Sequence, residues 1–148
     1  TVKKLYVAGN GPMMEEMQRY VREHHMENVK FLGYLQKDEM SEKFYQAKAV
    51  IMTSQCYEAF AMTIAEAYSY GVPVIAGRVG NMDGMVQDGI TGVKFTYNSA
   101  EDLADKISAF DAMDLSVLKK NARAFYAERL RPEDNYQKLI RIYEDISK

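Results

Sequence analysis

The stretch AVIMTSQCYEAFAMTIAEAYSYGVPVIA, residues 49–76, decides how the rest of the chain is read. Residues 49–52 form an apolar run too short for a helix, which marks a strand. The loop 54–60 leads into a helical segment, 61–70, and Gly71 ends it. Residues 72–76 are a second strand, with Pro73 at the entrance, where a missing N–H donor is tolerated. Strand, helix and strand in this order form a βαβ unit.

The same alternation extends outward in both directions. Upstream, Leu5-Tyr6-Val7-Ala8 is a strand halted by Gly9-Asn10-Gly11-Pro12. Pro12 is placed to be the first residue of a helix, 13–25, where its lack of an N–H costs nothing. A strand over 29–32 stops at Gly33, and Asp38 is expected to cap the next helix. Downstream, the residues 89–92 turn into a short strand, 93–95. Ser99 with Asp102 three residues later opens a helix in capping-box fashion. Two more helices, 115–130 and 132 onward, complete the chain. The expected fold is α/β, a Rossmann-like parallel sheet flanked by helices with a C-terminal helical tail, in one domain over residues 1–148.

Composition narrows the function classes. With 19 basic and 21 acidic residues, the chain has no concentrated positive charge to offer a nucleic acid. Its moderately basic stretch, Lys119, Lys120, Arg123, Arg129 and Arg131, reads as a solvated helix face, with contact to anionic lipid as the other option. The single cysteine, Cys56, excludes an intrachain disulfide and fits a reducing compartment. His24 and His25 are adjacent, so on a helix they diverge and cannot share a metal; they read as a polar helix end. No run approaches a membrane-spanning length, and the ten methionines read mostly as core filler. The chain begins with Thr1 and runs directly into a strand, which suggests that it starts in mid-architecture.

In a parallel sheet, ligands gather at the carboxyl ends of the strands. Four loops therefore matter: 9–12, 33–37, 54–60 and 77–83. The glycines Gly9 and Gly11 let backbone N–H groups approach a phosphate, although a tight strand-to-helix turn explains them equally. Glu58 and Glu66, separated by seven residues, are the strongest feature. Glu66 can accept two ribose hydroxyls side by side, and Glu58 can bind a sugar hydroxyl or stabilise positive charge at a sugar carbon. Between them the helix start at Ala61, Met62 and Thr63 would face a diphosphate. Two structural alternatives stand beside this: Thr63 and Glu66 as a capping box, and Glu58 as a solvated loop residue. Arg78 can pair with phosphate or lie on the surface, and Asp83 reads as a helix cap.

Residues 54–92, with Glu58, Phe60, Glu66, Ala67, Gly71, Pro73, Val74 and Ile75 in register, resemble the nucleotide-sugar site of the group 1 (family 4) glycosyltransferases. The Gly9-Asn10-Gly11-Pro12 turn is similar to that family's G-x-G-P, and Asp88, Gly89 and Gly92 to its D-G-x-x-G. The resemblance implies one half of a GT-B fold, retaining chemistry, no cofactor and no bound metal. It casts Glu58 as the catalytic contact to the donor sugar and Glu66 as the ribose ligand. Gly9, Gly11, Phe60, Ala61, Met62, Thr63 and Arg78 would complete the nucleotide-sugar site. It further implies that an acceptor-binding domain and an Arg–Lys pair gripping the diphosphate precede Thr1, so that this chain alone transfers little or no sugar. A cytoplasmic place, open to peripheral contact with the inner face of a membrane, and a role in polysaccharide biosynthesis follow from the same resemblance.

Four positions depart from the family's pattern. Ala59 follows Glu58 where Gly or Pro is more frequent, and Gly80-Asn81 and Asp83-Gly84 stand where many members have Gly-Gly and Pro-Glu. These departures keep two other readings in play, a non-catalytic nucleotide-binding or interaction module and an isomerase similar to nucleotide-sugar 2-epimerases.

Overall fold

The computed structural model describes residues 3–57 and 59–147 of the 148. It is a mixed α/β chain with parallel sheets flanked by helices and a C-terminal helix. The chain divides into two compact units, with the boundary between Lys43 and Phe44.

In the first unit, β1 (Leu5–Ala8) and β2 (Val29–Gly33) pair in parallel from Leu5↔Val29 to Ala8↔Gly33, with a shift between Val7 and Ala8. The Asn28 carboxamide donates to the Lys3 carbonyl (2.9 Å) and ties the start of β2 to the chain entering β1. Helix α1 (Met14–Glu23) crosses between them. Pro12 is not its first residue. Met14 N–H donates to the Gly11 carbonyl (3.0 Å), which places Pro12 at the second position of a turn that suits its fixed φ, and Met13 becomes the N-cap. His24 closes α1, its ring stacked on Tyr20 at 3.9 Å. Helix α2 (Lys37–Gln46) starts before Asp38, so Asp38 is not its cap. The Gln36 carbonyl accepts the first helical bond from Met40, and its N–H is received by Glu39 Oε2 at 2.7 Å.

The second unit holds a three-stranded parallel sheet in the order β3 (Val50–Met52), β4 (Val74–Gly77), β5 (Gly92–Phe95). All four residues of β4 are buried, as expected for a central strand covered on both faces. Helix α3 (Met62–Ser69) links β3 to β4 and ends in a Schellman motif: Val72 N–H bonds the Ala67 carbonyl and Gly71 N–H the Tyr68 carbonyl, both at 2.9 Å. Gly71 takes φ +68°, which favours glycine. Helix α4 (Gly80–Met85) joins β4 to β5, and α5 (Ala100–Asp111), α6 (Leu115–Arg129) and α7 (Pro132–Ile146) follow.

The core lies on this sheet. Ile75, Val93 and Phe95 from the strands meet Phe110 of α5 and Leu118 of α6. Helix α3 packs on α6, with Tyr68 edge-on to Phe125 at 5.6 Å. Gly92 is required by contact: a Cβ there would stand 1.8 Å from the Val74 carbonyl oxygen. Of the methionines, Met82 and Met85 fill the core as expected. Met13, Met17 and Met62 do not; they are exposed.

Candidate functional site

The loop 54–60 leaves the carboxyl end of β3 and delivers the chain to α3. Gln55 Nε2 donates to Asn98 Oδ1 (3.1 Å), and Asn98 sits at φ +58° in the turn before α5. At the other end of the loop the Asn81 carboxamide donates to the Ala59 carbonyl. Phe60 is half-exposed, and Ala61, the N-cap of α3, is fully buried. Glu58 lies outside the described residues.

The first turn of α3 has no side-chain cap and no acidic residue. That distinguishes it from α5, capped by Ser99, and α6, capped by Asp114. With Ala61 as N-cap, Thr63 falls inside the first turn, and no capping box joins it to Glu66. The Glu66 side chain is exposed, so its charge stays in water within an otherwise apolar helix. No ion-pair partner for it exists among the described residues. Glu66 borders an open groove of about 300 Å³ walled by Phe60, Met62, Tyr126 and Leu130. A larger groove of about 480 Å³ lies at the far end of α3, beside Gly71 and Lys119. The smaller groove is the relevant one, because the helix start without a side-chain cap and the exposed Glu66 carboxylate belong to its end of the helix, although the Met62 N–H already donates to the Phe60 carbonyl at 3.0 Å.

Arg78 follows β4 and is already engaged. Its guanidinium bonds Asp88 at 2.9 Å and stands 3.7 Å from Asp83. Asp88 also accepts the Lys94 N–H on its second oxygen (2.9 Å), and Lys94 Nζ reaches Asp83 at 2.9 Å. Asp83 is therefore not the helix cap. Val79 holds that position, and the short helix begins at Gly80. The D-G-x-x-G segment has a structural task here: Asp88 fastens β5 to the loop after β4, Gly89 turns at φ +75°, and Gly92 admits the Val74 carbonyl. Nothing in local spacing announces these pairings, since they depend on β4 and β5 lying side by side.

In the first unit, Gly9 has φ +108° and donates its N–H to the Gly33 carbonyl at 2.7 Å. That amide is used in joining the strand ends. Nothing lies within 4 Å of a Cβ built on Gly9 or Gly11, so the space above the turn is open. Sequence reading also missed a buried polar pair. The hydroxyls of Tyr68 and Thr91 lie 2.7 Å apart, and Gln87 N–H donates to Thr91 Oγ1 at 3.0 Å. Burial pushes the Tyr68 hydroxyl up to about 12, against the smaller opposing effect of the Thr91 bond.

The profile described as "Glycosyl transferases group 1" matches residues 2–124. The chain belongs to this family. N-acetyl-alpha-D-glucosaminyl L-malate synthase of Bacillus anthracis is 28% identical over 144 residues, which are 97% of this chain and 36% of that protein. Sulfoquinovosyl transferase SQD2 of Arabidopsis thaliana is 31% identical over 120 residues, 78% of this chain and 23% of that protein. The crystal structure of Anabaena HepE in complex with UDP superposes with a TM-score of 0.86 at 22% identity, over 97% of this chain and 41% of that one. The fold is thus that of part of a GT-B-type glycosyltransferase. The chain spans about a third of the length of the curated relatives it matches.

Proposed function

We propose that this glycosyltransferase chain is the donor-binding half of a retaining enzyme that moves a sugar from a nucleotide diphosphate sugar to a glycan, lipid or other acceptor. The observation that carries the reading is the start of α3. Its first turn has no side-chain cap and no competing acid, the Met62 N–H donates to the Phe60 carbonyl (3.0 Å), and Glu66 stands exposed one turn later. A diphosphate meets the positive end of the helix at Met62 and Thr63, and the Glu66 carboxylate accepts the ribose hydroxyls. Glu58 contacts the donor sugar where positive charge develops. The helix dipole and basic residues offset the phosphate charge, so the reaction proceeds without a bound metal. Arg78 takes part only by exchanging Asp83 and Asp88 for phosphate. The whole enzyme works at the cytoplasmic side, with peripheral membrane contact, in polysaccharide assembly.

Titration of labelled chain with UDP, GDP and ADP, followed by amide NMR shifts, tests this reading. One nucleotide should shift the amides of Met62 and Thr63, and Glu66→Ala should weaken it about 10- to 100-fold, the worth of hydrogen bonds to a charged acceptor. Equal affinity in the Glu66→Ala chain would remove Glu66 from the site. No shift with any nucleotide at millimolar concentration would overturn the donor-site reading.

A further inference from the structure

The basic stretch of α6 does not remain one uniform face in the folded chain. Arg131 pairs with Glu133 and Asp134, and Arg129 lies over the Phe125 ring at 5.4 Å. Lys119, Lys120 and Arg123 instead line the groove of about 480 Å³ at the C-terminal end of α3, together with Tyr45, Tyr70 and Gly71. Helical spacing explains part of this, because residues three and four apart share one side of a helix. Gly71 explains the rest. A Cβ there would stand 3.3 Å from the Lys119 carbonyl oxygen and 3.6 Å from Arg123 Cβ, so the glycine lets α6 approach the end of α3 closely.

Three positive charges in one groove repel one another, and among the described residues no carboxylate pairs with any of them. The chain as a whole is acidic, with 21 acidic residues against 19 basic ones, so this is a local surplus of cations. Arg123 is partly engaged: its Nη1 donates to the Ser69 carbonyl at 2.7 Å and so meets the negative end of the α3 dipole. Lys119 and Lys120 have no side-chain acceptor among the described residues. Beside them the Tyr45 ring is 71% exposed and stands edge-on to Tyr70 at 4.9 Å. An exposed tyrosine ring next to ammonium groups suits the boundary between water and lipid, where the ring sits at headgroup level and the cations meet phosphate.

We propose that the groove formed by Lys119, Lys120, Arg123 and Tyr45 receives the phosphate of an anionic phospholipid headgroup. The inference gives the peripheral membrane contact of the reading above a place on this chain, and it rests on that part of the reading. It shares nothing with the donor contacts, which belong to the opposite end of α3.

Sedimentation with vesicles of phosphatidylcholine alone, and of an equal mixture of phosphatidylcholine and phosphatidylglycerol, tests it. The chain should bind the mixed vesicles, leave the neutral ones alone, and be released as salt rises. Lys119→Gln combined with Lys120→Gln should weaken binding about 10- to 30-fold. Arg129→Gln combined with Lys138→Gln removes the same charge outside the groove, and should weaken it less than about threefold. Equal losses in the two double variants would mean diffuse attraction and would overturn the proposal, as would mixed vesicles that fail to bind wild-type chain. Inorganic phosphate and glycerol 3-phosphate form the soluble arm. Shifts of the amides of 69–71 and 119–123 with either, without vesicle binding, would overturn the headgroup assignment in favour of a soluble phosphoester. Unchanged amide shifts in β4 and β5 check that the lysine variant folds. Its nucleotide binding should equal that of wild type, so a failure of the donor reading and a failure of this one are seen in separate measurements.

Discussion

Tyr68 shows how much a single side chain depends on its burial. Its ring is fully buried between α3 and α6, and its hydroxyl is joined to Thr91, which is also buried. Desolvation raises the pKa from the ordinary 10.0 to about 12, so between those values the unfolded chain ionises this group and the folded chain does not. The corresponding stability is complete below the unfolded value and is lost as pH rises through the folded one. Spectrophotometric titration should show one tyrosine ionising near pH 12, absent in Tyr68→Phe. That substitution should lower stability by about 1 kcal/mol in denaturant melts, since Thr91 keeps the Gln87 N–H bond. A titration curve unchanged by Tyr68→Phe would refute the assignment. The Tyr68–Thr91 partnership was illegible in the sequence because the two are 23 residues apart and meet only after β4 and β5 pair. Spacing and resemblance singled out Glu66 as a candidate, but its exposure came from the helix face it occupies.

Helix ends decide the acid behaviour of the elements. Hydrogen bonds from Thr96, side chain first and then backbone, hold the Asp102 carboxyl below its usual range at the start of α5. Hydrogen bonds from Ser116, then from the Val117 and Ser116 N–H groups, do the same for Asp114 at α6. Both folded values are depressed, so the stability from these caps is present above the ordinary carboxylate pKa and is lost as pH falls through the folded values. Replacing both with Asn retains an acceptor while removing the titration, and should flatten the fall in stability below about pH 4. An acid slope identical to wild type would place its origin elsewhere. The sequence correctly announced the α5 cap through Ser99 and Asp102, because that pattern is local. Asp38 and Asp83 were misread for the opposite reason. Each is a good cap by residue type, but α2 and α4 begin earlier, and Asp83 finds Lys94 and Arg78 across the sheet.

At the scale of the molecule, the chain covers about a third of the length of the relatives it matches. On the proposed reading it supplies donor binding and requires an acceptor-binding half for transfer. Isolated chain should therefore bind nucleotide weakly and transfer labelled sugar at or near background; robust transfer by this chain alone would overturn that division of labour. The sequence by itself determined the family and the order of strands and helices, within one or two residues at most ends, because periodicity and turn chemistry act over short separations. It also pointed to α3 and the loop before it as the segment that the proposed reading turns toward the donor. Only the tertiary structure decided which polar groups consume one another: Arg78 with Asp88, Lys94 with Asp83, Asn81 with the Ala59 carbonyl. Those pairings follow from β4 lying in parallel register with β5, Ala76 opposite Lys94, and from α4 packing beside them. Electrostatic and hydrogen-bond partners are chosen by distances of a few ångströms, and sequence separation does not encode those distances until the sheet has formed.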